Sequence, residues 1–304
     1  MRHWFFFAFF LVFAHHHLSY TQERTTTLQE NNLRGKVKSI VEYEYAMVDA
    51  EGNIDKEMGA SGKDYSTYNK TGNIIEYKVT DSKGIVGLKT IYQYENNLRT
   101  KENTYNSKNK ITERWSAVYN DKKKIKEAYR VFEGNNIEKV FYTYDNKGVL
   151  LEEKWLLNNV VSLKVSYTYT DNGRTVEKKT SDASDKVVGV EIRKYNDAGI
   201  LLEESKFNYK DALKGKTICI YNEKEQLIEE QTYDSLLHLE GKIVFIYDKY
   251  GNIAEEKWYD NKNQRTSHIK NTYTYDKSGN WIEKTEYDTE VQFGIIYKRI
   301  INYY

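Results

Sequence analysis

Residues 140–158 read VFYTYDNKGVLLEEKWLLN, and this stretch decides the fold. VFYTYD, Val140 to Asp145, and VLLEEKW, Val149 to Trp155, are two segments of strand-like alternation, read from a period of two rather than 3.6. They are joined by Asp145-Asn146-Lys147-Gly148. An aspartate can cap a tight turn with its side chain, and glycine supplies the positive φ that a turn followed by a bulge needs. The segment is therefore a β-hairpin.

The hairpin recurs. A tyrosine is followed eight residues later by a glutamate nine times, with 25 to 28 residues between successive tyrosines. The tyrosines are Tyr68, Tyr94, Tyr119, Tyr144, Tyr169, Tyr195, Tyr221, Tyr247 and Tyr275. The glutamates are Glu76, Glu102, Glu127, Glu152, Glu177, Glu203, Glu229, Glu255 and Glu283. Asp or Asn follows the tyrosine in seven of nine units, and glycine lies four residues after it in six: Gly72, Gly148, Gly173, Gly199, Gly251 and Gly279. A fixed period of this length marks a repeat architecture. Turn signals about every 12 residues are all-β spacing. The chain has 28 tyrosines, which suit a pleated surface, and no proline, so every strand residue can donate to a ladder.

These features predict an all-β fold of about ten units and roughly twenty strands, joined as an antiparallel meander. At about 4.8 Å per strand a flat sheet would span on the order of 100 Å, and open twisted sheets rarely exceed about ten strands. The sheet must roll, coil or close, and the reading favours an elongated rolled or spiral solenoid. The second connections, such as those after Tyr233 and Tyr259, read as looser and more variable than the tyrosine turns. The glutamates are expected on the tyrosine face, each taking a tyrosine hydroxyl or a neighbouring lysine; a calcium track is the functional alternative. Unpaired like charges in a row would repel, which favours the structural role.

The strings FYTYDNKGVL, FIYDKYGNI and TYTYDKSGN resemble the rearrangement-hot-spot, or YD-repeat, family, with a looser likeness to MORN-type repeats. The resemblance implies a β-hairpin spiral with carbohydrate-binding, surface or encapsulating roles, and transfers no catalytic residue. The chain departs in its longer period, its steady glutamate, and units such as Tyr94-Glu95 that lack the aspartate.

The N-terminus reads MRHWFFFAFFLVFA, an apolar stretch too short for a comfortable span and suited to a secretory signal. Residues 1–21 are read as a signal peptide, 22–33 as a polar lead-in and 34–304 as the repeat domain. The 46 basic and 45 acidic residues nearly cancel, so no global field draws nucleic acid. Cys219 is the sole cysteine, which excludes an intrachain disulfide and a multi-cysteine zinc site. No nucleophile elbow, zincin motif, P-loop or dinucleotide fingerprint is present. His238 and His268 read as ordinary loop histidines. Asp49, Glu51, Asn53 and Asp55 around Gly52 read as a turn, with calcium binding as the alternative. Trp155, Trp258 and Trp281 could stack on sugar rings if they face solvent.

The expectation is a secreted, non-enzymatic binding or scaffold module of the bacterial envelope, in the periplasm or at the cell surface. It uses no cofactor or metal, takes a protein or glycan partner, and keeps no membrane span after signal cleavage. The alternatives are a carbohydrate-binding surface protein and an outer-membrane β-barrel.

Overall fold

The computed structural model describes residues 27–46, 59–132, 134 and 136–304. The proposed signal peptide and the Asp49–Asp55 cluster lie outside the described residues. Twenty strands follow one another: β1 Val37–Ala46, β2 Gly62–Tyr68, β3 Ile74–Asp81, β4 Val86–Glu95, β5 Leu98–Asn106, β6 Ile111–Tyr119, β7 Ile125–Phe132, β8 Ile137–Tyr144, β9 Leu150–Leu157 and β10 Val160–Thr170. The run continues as β11 Thr175–Asp182, β12 Val187–Tyr195, β13 Leu201–Asn208, β14 Leu213–Tyr221, β15 Leu227–Tyr233, β16 Leu239–Tyr247, β17 Ile253–Asp260, β18 Arg265–Tyr275, β19 Trp281–Asp288 and β20 Phe293–Tyr303. Each pairs antiparallel with the next, in one 20-stranded sheet.

The meander expected from the repeat is present; the open spiral is not. β1 pairs with β20 along nearly its whole length, from Val37 opposite Tyr303 to Ala46 opposite Ile295. The sheet is a closed barrel. Closure removes both edge strands, each of which would otherwise present a row of unpaired N–H and C=O groups. An open sheet of identical units would leave such an edge at each end, which is the physical reason a ring wins over a solenoid here. The same finding overturns the YD-repeat assignment, which implies a spiral.

Two faces alternate along every strand. One carries the recurring tyrosines, with Cys219, Phe245 and Tyr273 two residues before theirs. Most buried strand residues lie on it, among them Ile40, Tyr68, Ala117, Ala128, Val140, Val165, Val176 and Tyr297. It is the crowded, concave face, because side chains converge on the inside of a ring. The other face carries the recurring glutamates, contrary to the expectation that they share the tyrosine face. In eight of nine units the glutamate lies opposite the residue one before the tyrosine, as Glu152 does with Thr143 and Glu255 with Ile246. Glu102, opposite Tyr92, is the exception. In most units the cause is a β-bulge beside the tyrosine, where Tyr144 pairs with Leu150 while Thr143 pairs with Glu152. One inserted residue changes register by one and so changes face.

The barrel is wide. Small barrels fill with side chains, whereas sheets of sixteen or more strands leave a lumen. Consistent with this, the inner-face pairs run between neighbouring strands, as Tyr167 with Glu153 and Arg299 with Glu42 do. The apolar cluster sits at the seam instead. There a short helix, α1 Thr27–Glu30, places Leu28 against Val37, Ile40 and Tyr68, with Leu33, Ile74 and Ile301 around them. Leu28 N–H donates to the Gly72 carbonyl at 3.1 Å, so residues before β1 are fixed across one end of the closure.

Candidate functional site

The two rims are built from one device. At the tyrosine rim Asp145 Oδ1 accepts from the backbone N–H groups of Lys147 and Val149, both at 2.8 Å. Gly148, at φ 86°, donates to the Asp145 carbonyl. Gly72, Gly173, Gly199, Gly251 and Gly279 likewise stand at positive φ. The opposite rim repeats the turn with other residues. Asp182 caps Ser184 and Lys186, Asn208 caps Lys210 and Ala212, and Asp234 caps Leu236 and His238. Several of the connections that read as loose and variable, the one after Tyr259 among them, are thus as regular as the tyrosine turns. Their positive-φ position is held by Asp185, Asp211 and Leu237 rather than glycine, which hid them. Two hairpins use Asn96-Asn97 and Asn158-Asn159, with both central residues at positive φ. That is the two-residue turn favoured between twisted strands. The backbone donors hold the Asp145 carboxyl below its usual range, the Val149 N–H contributing most. The hydroxyl and N–H of Ser184 do the same for Asp182.

Four of the recurring tyrosines share a role. Tyr144 donates to the Ile125 carbonyl at 2.8 Å, Tyr169 to Leu150 at 2.8 Å, Tyr247 to Leu227 at 2.8 Å and Tyr119 to Arg99 at 2.6 Å. Each acceptor sits at the bulge of the preceding strand. Tyr275 instead bonds Asp248, and Tyr273 takes the bulge carbonyl, Ile253, at 2.9 Å. Burial pushes the Tyr142 and Tyr144 phenols up to about 12.

On the convex face the recurring glutamates meet lysines of the same or adjacent strands. Glu203 lies 3.0 Å from Lys194 and 2.8 Å from Lys216, and Glu283 lies 3.1 Å from Lys298. Glu255 meets Lys257 at 2.9 Å and His268 at 2.8 Å. His268 is a buried strand residue rather than a loop one. Glu229 lies 3.7 Å from Lys242 and Glu177 3.4 Å from Lys179.

The inner wall is the candidate site, and it is ionic. Arg193 lies 2.9 Å from Glu204 and 2.5 Å from Glu191, and Lys206 lies 2.7 Å from Glu204. Burial opposes ionisation of Glu204, but Lys206 and Arg193 outweigh it and hold its carboxyl below the usual range. At the seam Arg299 of β20 lies 2.6 Å from Glu42 of β1. Its guanidinium stacks 3.3 Å from the centre of the Trp281 ring. Tyr167 and Trp155 both donate to Glu153, each at 2.8 Å. Two inner-wall carboxyls are instead held above the usual range: burial, then Asp64 and Glu42, raises Glu44, and burial, then Glu286, raises Glu256. Such a wall can hold or guide polar and charged solutes. Burial pushes the Cys219 thiol up to about 11, so it is not a thiolate at neutral pH. Among the described residues no group of three or more His, Cys, Asp or Glu could hold a metal ion.

Sequence reading missed these inner carboxylates, although a signal was present. Glu152-Glu153, Glu203-Glu204, Glu229-Glu230 and Glu255-Glu256 are doublets, and adjacent residues of a strand face opposite ways. The tryptophans did not become open platforms: Arg299 covers Trp281, Trp155 is bonded to Glu153, and Arg99 lies 4.9 Å over Trp115. Trp258 is partly exposed on the inner wall and is bonded to Glu256, as Trp155 is to Glu153. The carbohydrate-binding expectation is withdrawn on this ground.

No protein-family model matches the chain, and no curated protein does. Solved structures do overlay on it. A porin-like protein from Bacteroides uniformis is 10% identical, with a TM-score of 0.34, over 88% of this chain and 96% of that one. A porin-like protein from Bacteroides vulgatus is 10% identical, with a TM-score of 0.30, over 88% and 99%. The Photorhabdus luminescens Tc holotoxin pore is 12% identical, with a TM-score of 0.17, over 77% of this chain but 19% of that one. The fits are loose, and the closed ring rests on its own hydrogen bonds.

Proposed function

We propose that this chain is a hollow, non-enzymatic barrel of the bacterial envelope that encloses or scaffolds polar partners. Of the alternatives that the sequence left open, a closed barrel accounts for the fold and an open spiral does not. The observation that carries the proposal is charge on both faces of a closed wall. The convex face presents Glu76, Lys101, Arg114, Lys139, Glu152, Lys179, Glu203, Lys216, Glu229 and Lys257 within its strands. The concave face presents Glu102, Arg130, Glu153, Arg193, Glu204 and Glu256. A wall of this kind suits water on both sides. The apolar stretch at residues 4–14 supports an envelope location.

The second reading is an outer-membrane barrel, favoured by the closed, even-numbered antiparallel sheet. Among the described residues no helix is long and apolar enough to cross a membrane, which leaves crossing by strands open. Against it, an Arg or Lys on a lipid-facing strand at the midplane costs about 2–4 kcal/mol. Repeated on strand after strand, that cost exceeds any ordinary domain stability of about 5–15 kcal/mol.

The test is extraction. Released by osmotic shock and purified without detergent, the protein should stay monodisperse and β-rich by circular dichroism. A protein that leaves the membrane pellet only in detergent, and keeps its fold only there, overturns the proposal in favour of the spanning barrel.

A further inference from the structure

The rims share a turn but not a chemistry. At the rim opposite the tyrosine turns, Ile85, Val160, Tyr209, Leu236, Leu237 and Val291 occupy the turns or the positions directly after them, and each is more than half exposed. Phe293, at the start of β20, is half exposed beside them. Among the described residues no turn at the tyrosine rim carries a large exposed apolar side chain. Tips there are residues such as Lys70, Lys122, Asn146, Asp197, Lys224 and Lys277.

Two further observations point to one partner. First, just inside the apolar rim, the convex face carries Tyr105, Phe207, Tyr233, Tyr259 and Tyr287, on the last residues of β5, β13, β15, β17 and β19. In the later units these stand four residues after the recurring glutamate, on the same face. An aromatic girdle with apolar tips beyond it matches the depth profile of a bilayer surface, where tyrosine rings sit at headgroup level. Second, the tips carry Lys83, Lys108, Lys186, Lys210 and Lys262. The turn-capping acids beside them aim their carboxylates back at backbone N–H groups, as Asp182 and Asp260 do. Of the other acids described at this rim, Asp185 and Glu290 are held by Lys164 and Arg265, while Asp211 and Glu240 stand exposed. The lysine ammonium groups therefore stand among capping acids and can meet headgroup phosphates at the same level as the apolar tips.

The geometry points to end-on docking: we propose that this rim rests on a phospholipid bilayer. The apolar tips enter the headgroup boundary, and the charged wall stands in water above. The apolar residues are spread over the β3–β4, β9–β10, β13–β14, β15–β16 and β19–β20 connections rather than massed in one patch. A planar bilayer meets all of them at once, whereas a compact protein would meet a few.

Flotation of the detergent-free protein with vesicles tests this. On phosphatidylethanolamine–phosphatidylglycerol vesicles the wild type should float, and an alkaline carbonate wash should release it. Ile85→Ser, Leu236→Ser, Leu237→Ser and Val291→Ser combined should reduce binding at least about tenfold with unchanged circular dichroism, because each apolar group withdrawn removes part of the buried area. Leu151→Ser with Leu202→Ser, exposed but away from this rim, should leave binding intact. As a readout that needs no loss of binding, a polarity-sensitive dye on Leu236→Cys in a Cys219→Ser background should shift to the blue on vesicles. Absence of flotation, or flotation indifferent to the rim variant, overturns the proposal. So does a wild-type dimer that ignores vesicles and falls apart in the rim variant, which would make the occupant a second copy. Carbonate-resistant insertion would instead mean that the wall itself spans the bilayer.

Discussion

The Tyr144 hydroxyl donates to the backbone carbonyl of Ile125, 2.8 Å away at the bulge of the preceding hairpin. A bulge breaks the ladder locally and leaves a carbonyl needing a partner. The tyrosine supplies it from the next unit. That relationship, repeated at Tyr119, Tyr169 and Tyr247, gives those four units a reason for tyrosine rather than phenylalanine.

Tyr144→Phe and Tyr247→Phe should therefore each destabilise by about 1 kcal/mol, the value of one partly buried hydrogen bond. Urea unfolding measures it. Unchanged midpoints in both variants would reduce the tyrosines to packing residues.

The turns make opposite predictions at glycine and non-glycine positions. Gly148, at φ 86°, should lose about 1–3 kcal/mol on replacement by Val, because a β-branched residue is strained there. Glu225 holds the equivalent place at φ 61°, so Glu225→Gly should stabilise by up to about 1 kcal/mol. Thermal melts of both should move in opposite directions.

Ring closure can be trapped covalently. Val41 lies opposite Ile300 across β1 and β20. With Cys219 replaced by Ser, Val41→Cys and Ile300→Cys should oxidise to a disulfide within one chain, because paired strands bring the two within bonding reach. Absence of an intrachain bond, with each thiol freely labelled, would mean an open seam. Arg299→Ala should weaken the same seam by about 2–3 kcal/mol, since it strands Glu42 on the inner wall.

Acid should act in two directions. The Asp145, Asp182 and Asp234 carboxyls are held below their usual range, chiefly by hydrogen bonds within their turns. Their stabilisation is present above the unfolded carboxylate pKa, near 4, and is lost as pH falls through the lower folded values. Glu256 is the reverse case. Burial and then Glu286 raise it, so the folded chain favours its protonated form. Glu256→Gln should raise the melting temperature at pH 7, and the advantage should shrink as pH falls through the raised value, where wild type is itself protonated. A constant difference from pH 7 to pH 4 would contradict this.

How much of this was legible depended on distance along the chain. The sequence by itself determined the hairpins, the tyrosine turns and the meander, because Tyr144, Asp145 and Gly148 act on neighbours a few residues away. It also carried the inner carboxylates, in doublets such as Glu255-Glu256, once the period of two is applied. The face of Glu152 was misread because a single bulged residue reverses it, and a bulge leaves almost no mark on composition. The Asx turns of the far rim escaped notice because Asp185, Asp211 and Leu237 stand where glycine was sought. Closure was decided by tertiary structure alone. Val37 and Tyr303 are far apart in the chain, and no local propensity says that first and last strands will meet. The ring forms because identical units carry an edge forward until the only partner left for β20 is β1.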